Sequence, residues 1–167
     1  LGQTLEPLGF EVDVRPQKGQ LRDYFFEGMD TAKLPVLMPE GELDVIPFAG
    51  GKISVGASHE NDQGFDLTVD ETVLASLEEE AKTYFPDLST AKSFSERVGT
   101  RAYTSDFSPF FGEVPELESV FVASGLGSSG LTTGPLIGKN LVELAMNRPG
   151  SLDSADYPVA QYVKKKD

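Results

Sequence analysis

The chain has 167 residues, room for one compact domain and part of a second, and its 39% hydrophobic, 10% aromatic and 25% charged content is too apolar for a disordered acidic tail. Its 27 acidic against 14 basic side chains leave a formal net charge of −13, a field that repels phosphate backbones and anionic lipid and argues against nucleic acid as a partner. The absence of cysteine and the single histidine remove disulfide frameworks, thiolate metal sites and cysteine nucleophiles, and no apolar run approaches the about 20 residues that span a bilayer.

Residues 10–26 read as extended, with Val12 and Val14 alternating with charged neighbours, an interruption at Pro16 and a bend at Lys18-Gly19 before Gln20 to Phe26. Three β segments follow as an antiparallel meander, Leu34 to Met38, Leu43 to Phe48 and Lys52 to Ala57, separated by Pro39-Glu40-Gly41-Glu42 and Ala49-Gly50-Gly51. Val69, Val73, Leu74, Leu77 and Ala81 recur at helical spacing behind Asp70-Glu71, which predicts a helix over Asp70 to Phe85, stopped by Pro86. Lys92 to Thr104 returns to strand, with Phe94, Glu96 and Val98 on one face and Ser95, Arg97, Gly99, Arg101 and Tyr103 on the other. A turn-rich bridge through Pro109, Gly112 and Pro115 leads to a short strand, Val120 to Ala123, then a glycine-rich loop, then a helix from Leu131 to Met146. Beyond Asn147 periodicity is lost, and Lys164-Lys165-Lys166 reads as a frayed, solvated tail.

Two features can carry chemistry. The loop Gly125-Leu126-Gly127-Ser128-Ser129-Gly130 spells G-x-G-x-x-G between a strand and a helix, the context of a dinucleotide fingerprint. A Rossmann unit also needs a second parallel strand and an acid about 20 residues on; Asp153 and Asp156 stand near that offset in a stretch that reads as loop. Glycines there either converge backbone N–H groups at the positive end of the helix, where an anionic or electron-rich group is favoured, or simply permit a tight turn. The second feature is Arg101, on the polar strand face. Its guanidinium can clamp a small carboxylate through two charge-assisted hydrogen bonds of roughly 1.5 to 3 kcal/mol each, or it can pair with one of the 27 acids. Strand position alone leaves both open.

Arg101-Ala102-Tyr103-Thr104-Ser105-Asp106-Phe107-Ser108-Pro109-Phe110-Phe111-Gly112, followed by Val120 to Leu131, resembles the C-terminal signature of the FAD-dependent glycine oxidase, D-amino-acid oxidase and dehydrogenase (DAO) family, R-P-x-T-x-D-x-x-P-x-x-G and then an apolar strand entering a glycine loop. Val14-Arg15-Pro16-Gln17-Lys18-Gly19-Gln20-Leu21, Ile46-Pro47 and Gly51 to Ala57 resemble earlier strands of that family. Ala102 stands where the family has proline and Lys18 where it has arginine, while Leu126 and Ser128 replace larger polar groups of several relatives. The resemblance implies FAD as cofactor, Arg101 as the substrate-carboxylate residue, Tyr103 as a lesser pocket residue, and Gly125, Leu126, Gly127, Ser128, Ser129, Gly130, Leu131 and Thr132 at the flavin. It also implies a flavin-binding βαβ segment N-terminal to this chain, so the chain alone is expected to hold no tightly bound FAD.

His59, between Ser58 and Glu60, reads as a loop histidine ahead of a catalytic base, and Asp70-Glu71 and Glu78-Glu79-Glu80 read as solvated helix charge ahead of metal ligands. Phe107, Phe110 and Phe111 read as sealing a joint between domains ahead of packing on flavin. The expected architecture is α+β: an antiparallel or mixed sheet with one covering helix as a substrate-binding domain over residues 16–107, preceded by residues 1–15 and followed by residues 108–150 as parts of an incomplete Rossmann-like FAD domain, with 151–167 as a tail. The expected activity of the parent protein is oxidation of a small amino acid or secondary amine by hydride transfer to flavin, in the cytoplasm, with a homo-oligomer compatible. The alternatives are an FAD-dependent dehydrogenase of a hydroxy acid or glycerol phosphate, and a non-enzymatic acidic binding or regulatory module.

Overall fold

The computed structural model describes residues 1–166. Its elements run α1 (Gly2–Leu5), β1 (Phe10–Val12), β2 (Arg15–Phe25), β3 (Asp44–Pro47), β4 (Lys52–Gly56), α2 (Glu71–Tyr84), β5 (Lys92–Tyr103), β6 (Phe110–Glu113), β7 (Phe121–Ser124), α3 (Gly130–Ala145), α4 (Val159–Tyr162) and β8 (Val163–Lys165), with short 3-10 turns between them. Two compact units result: Gln17–Thr100, and Leu1–Pro16 together with the residues from Arg101 on. Among the described residues no helix is long and apolar enough to cross a membrane.

The Gln17–Thr100 unit is a four-stranded sheet in the order β3-β4-β2-β5. β2 and β3 both run antiparallel to β4, with Asp23 opposite Ser54 and Val45 opposite Val55. Alternation puts Tyr24, Val45, Ile53 and Val55 into a core with Phe26, Leu43 and Leu88, and α2 closes it with Leu77 and Ala81. The helix starts where the sequence places it because the Asp70 side chain accepts from the Thr72 and Val73 amides at 2.8 and 3.4 Å. Phe85 ends it, and Pro86, which has no N–H to continue the ladder, opens a 3-10 turn.

Two expectations in this unit fail for identifiable reasons. No bend occurs at Lys18-Gly19; β2 runs through both residues. Lys18 and Gln20 are buried and tie the strand to the segment before α2, with Lys18 Nζ donating to Thr68 O at 2.5 Å and Asp70 N donating to Gln20 Oε1 at 2.7 Å. Leu34 to Met38 forms no strand and makes only an isolated antiparallel bridge between Leu37 and Val45, since Pro35 and Pro39 lack the donors a ladder needs. The helix acids are also more engaged than solvated charge would be. Asp70 caps, Arg22 Nη2 lies 2.5 Å from Glu71 Oε2, and Glu78 accepts from Tyr24 at 2.7 Å and pairs with Lys82 at 2.9 Å.

In the other unit β1 pairs antiparallel with β8, Phe10 opposite Lys165, and β6 pairs antiparallel with β7, Phe111 opposite Ala123. Leu5, Phe10, Phe110, Val114, Val159, Tyr162 and Val163 form its core, with the Phe110 and Tyr162 rings stacked at 4.8 Å. Residues 110–113, expected as part of a bridge, are a strand. Phe110 and Phe111 belong to this unit's interior, Phe111 against Tyr157 at 5.1 Å, rather than to a joint. The expected tail is also structured: Asn140, buried on α3, accepts the Ser151 and Leu152 amides at 2.7 and 2.9 Å, and α4 and β8 follow. Lys164 to Lys166 keep exposed side chains, but their backbone is held, Lys166 N donating to Gly9 O at 2.8 Å and Lys165 Nζ lying 4.6 Å over the Phe10 ring.

The sheet face opposite α2 carries one buried carboxylate. Burial works to raise the Asp23 carboxyl, yet hydrogen bonds from Ser54, Arg97, Ser95 and Lys52 outweigh it and hold it well below the usual carboxylate range. With its folded pKa below the unfolded value of about 3.9, Asp23 contributes stability that is present above that value and is lost as pH falls toward the folded pKa. Asp23→Asn is therefore expected to lower stability at pH 7 and to flatten the acid limb below about pH 4 in urea-denaturation series; an unchanged acid limb would assign that limb to other carboxylates.

Candidate functional site

Arg101 and the glycine loop fall in the same compact unit. Arg101 is half-buried two residues before the end of β5, and Tyr103, its neighbour on the same strand face, is buried with its ring stacked on Phe107 at 5.6 Å. Strand β5 ends at Tyr103 because the next six residues form a closed turn. Thr104 is fully buried and its one hydroxyl hydrogen is shared between Asp106 Oδ1, 3.0 Å from Oγ1, and Ser108 O, 2.9 Å from it, while Ser108 N donates to Asp106 Oδ1 at 3.1 Å. Phe107 takes a positive φ of 60° at its tip.

Asp106 is the collecting point. Besides those bonds its Oδ2 accepts from Tyr162 OH at 2.9 Å and from Gln161 Nε2 at 3.1 Å. The Ser108 amide, followed by Tyr162 and Thr104, holds its carboxyl below the usual range, and burial together with the Asp106 contact pushes the Tyr162 phenol up. The turn therefore binds the end of the Arg101 strand to α4.

The same turn seats the glycine loop. Gly125 has φ of 75°, and a Cβ there would lie 2.7 Å from Ser108 O and 2.9 Å from Thr104 Cγ2, so only glycine fits both the backbone and the space. Leu126 then turns back onto α3, where a Cβ at Gly130 would be 3.5 Å from Leu126 Cβ and one at Gly134 would be 3.5 Å from Leu126 Cδ2. Gly127, at φ of 54°, has no atom within 4 Å of a built Cβ. Ser128 and Ser129 are exposed, Ser129 Oγ donates to Leu126 O at 3.0 Å, and α3 begins without a side-chain cap. Leu131 is 98% exposed and Thr132 is exposed beside it.

A flavin edge fits this cradle on three counts: open space at Gly127, an uncapped positive helix end, and an exposed apolar side chain at Leu131. The arrangement suits an electron-rich heterocycle lying over the turn. The reading as a turn alone accounts for the positive φ of Gly125 and of Gly127, and the space beside Gly127 stays open.

His59 lies in the other unit, with Nδ1 3.4 Å from Glu42 Oε2. Among the described residues no group of three or more His, Asp or Glu is arranged to hold a metal ion. Sequence reasoning missed Tyr162, Gln161 and Asn140, which secure the turn and α3; no short-range pattern marks them, because their partners lie 11 to 56 residues away.

Comparison with known proteins identifies the family. The FAD dependent oxidoreductase (DAO) family matches residues 1–144, and the chain belongs to that family. It is 37% identical over 159 residues to the uncharacterized oxidoreductase YurR of Bacillus subtilis (strain 168), covering 95% of this chain and 43% of YurR. It is 29% identical to a glycine oxidase of Pseudomonas aeruginosa, again over 95% of this chain and 43% of the relative. Among solved structures, iminodiacetate oxidase from Chelativorans sp. BNC1 superposes with a TM-score of 0.90 at 32% identity, covering 95% of this chain and 43% of that one. The chain thus spans less than half the length of the relatives it matches.

The packing at Gly125 gives a direct test. Gly127→Ala is expected to cost about 1 kcal/mol, the backbone penalty for a left-handed alanine, whereas Gly125→Ala adds a steric conflict and is expected to cost about 2 kcal/mol or more. Equal costs in urea denaturation would show that contact with Thr104 and Ser108 does not select glycine at 125.

Proposed function

We propose that this chain supplies the substrate clamp and the flavin-facing loop of an FAD-dependent oxidoreductase that oxidises a small amino acid or secondary amine by hydride transfer to flavin. One observation carries the reading. A single turn, Thr104 to Pro109, continues the strand bearing Arg101 and packs against Gly125 at the mouth of the glycine loop. A carboxylate clamp and a flavin cradle need a fixed spacing, and this turn is the device that supplies it. The names of the relatives support the substrate class: one is a glycine oxidase, acting on an amino acid, and one an iminodiacetate oxidase, acting on a secondary amine.

Arg101 binds the substrate carboxylate through two charge-assisted hydrogen bonds and so orients the carbon that loses hydride. Tyr103, its ring held against Phe107, forms part of the pocket wall beside it. Flavin, when bound, would supply the two-electron acceptor. Gly125, Leu126, Gly127, Ser128, Ser129, Gly130, Leu131 and Thr132 would hold it, with the first-turn amides of α3 favouring negative charge beside them by about 0.3 to 2 kcal/mol. An amine that enters neutral needs no protein base. Residues 17–100 form the substrate-binding domain in this reading. The remainder belongs to the FAD domain, and the exposed apolar residues Leu131, Leu136, Val142 and Met146 of α3 and its end are covered by the flavin-binding segment of the longer protein.

In the flavin-loaded parent enzyme, Arg101→Ala is expected to raise KM for the amine substrate about 100-fold or more, with a smaller change in kcat and partial recovery in Arg101→Lys. Steady-state kinetics with an unchanged KM would reject the clamp.

A further inference from the structure

The polar face of the Gln17–Thr100 sheet holds a group of charges that the clamp and the flavin loop leave unused. Asp23 has a side chain only 2% exposed, and two cations reach it: Lys52 Nζ at 3.2 Å from Oδ2 and Arg97 Nη2 at 2.9 Å from Oδ1. Ser54 Oγ donates to Oδ1, and Ser95 Oγ donates to Oδ2 at 2.9 Å. A buried carboxylate needs one positive partner to be neutralised. Here there are two, so the cluster carries a surplus positive charge within a chain of net −13.

The surplus is held toward the surface. Arg97 spends a single nitrogen on the protein, Nη2, which donates to Asp23 and also to Ser54 Oγ at 3.0 Å. Its side chain is 53% exposed, and of its five N–H donors those on Nε and Nη1 make no hydrogen bond to the described residues. Lys52 Nζ lies 5.5 Å from the centroids of both Phe48 and Phe94. Phe48 is 44% exposed and Phe94 54%, and Phe25, opposite Lys52 in the β2/β4 register, is exposed as well. A guanidinium already fixed by a buried anchor gives up little further freedom on binding an anion, and the rings around Lys52 offer apolar surface to the rest of the molecule.

We propose that Arg97 and Lys52, positioned by Asp23, form a carboxylate-binding point on this sheet face, selective for a carboxylate attached to an aromatic or otherwise apolar body. Asp23 is the positioning residue: it touches no ligand and sets where the two cations stand. The site is independent of the role assigned to Arg101.

The test is an NMR titration of the full chain with benzoate, following the arginine Nε–H resonances, with benzamide as the uncharged isostere and acetate as the ringless one. The Arg97 Nε–H resonance is expected to shift saturably with benzoate, less with acetate and not with benzamide. Arg97→Ala should raise the Kd for benzoate at least about tenfold and Lys52→Ala about threefold or more, while Arg97→Lys, which keeps charge but loses the anchored fork, should fall between Arg97→Ala and the native chain. Arg101→Ala should leave Kd within about twofold. An unmoved Arg97 resonance, or a Kd for Arg97→Ala within about twofold of the native value, overturns the proposal. Loss of binding in Arg101→Ala alone does the same, since it assigns the anion to the clamp.

Discussion

The Asp106 carboxylate gathers Thr104, Ser108, Gln161 and Tyr162 onto two oxygen atoms, and the path of the chain around the glycine loop depends on that convergence. It closes the turn after β5, brings α4 alongside, and leaves Ser108 O and the Thr104 methyl where Gly125 must pass them. The bonds to Thr104 and Ser108 are local, and those from Gln161 and Tyr162 span 55 and 56 residues. A carboxylate suits the position because it accepts several hydrogen bonds while donating none, so four groups can be satisfied by one short side chain.

The family motif then divides by physical role. Thr104, Asp106 and Gly112 are scaffold: the first two build the turn, and Gly112, with φ of 152°, passes 3.2 Å from Val159 Cγ2 where a Cβ would sit. The earlier motif behaves likewise, since the buried Lys18 and Gln20 pin the chain ahead of α2 and Gln20 also donates to Glu60. Arg101 and the glycine loop, the positions assigned to chemistry in the proposed function, flank this turn. Buried polar groups, expensive unless fully paired, recur wherever the units must fix a long-range connection, at Asp23 and Gln20 in one and at Asn140 in the other.

Local signals in the sequence were sufficient for α2, with its Asp70 cap and Pro86 stop, for the β3/β4 pairing around Gly50-Gly51, and for the strand, loop and helix from Phe121 to Ala145. They failed where tertiary contact outweighs local preference. Strand β6 lies between Pro109 and Pro115 and looks like a turn until Phe110 and Phe111 are seen packed inside the unit. Strand β8 carries a lysine run and exists because β1 offers it a partner about 150 residues away. Arg101 and the loop stood out through the family motif they complete, whereas Arg97 was visible only as one more polar residue on a strand, because Asp23 and Ser54 lie 74 and 43 residues from it.

Hydrogen exchange at the loop amides examines the central dependence most closely. In an Asp106→Ala chain the amides of residues 125–130 should exchange at least about tenfold faster than in the native chain, together with those of α4, while the amides of α2 keep their native protection. Unchanged protection across residues 125–130 would mean that the glycine loop holds its shape without the Asp106 turn, and the proposed link between the Arg101 strand and the loop would be lost.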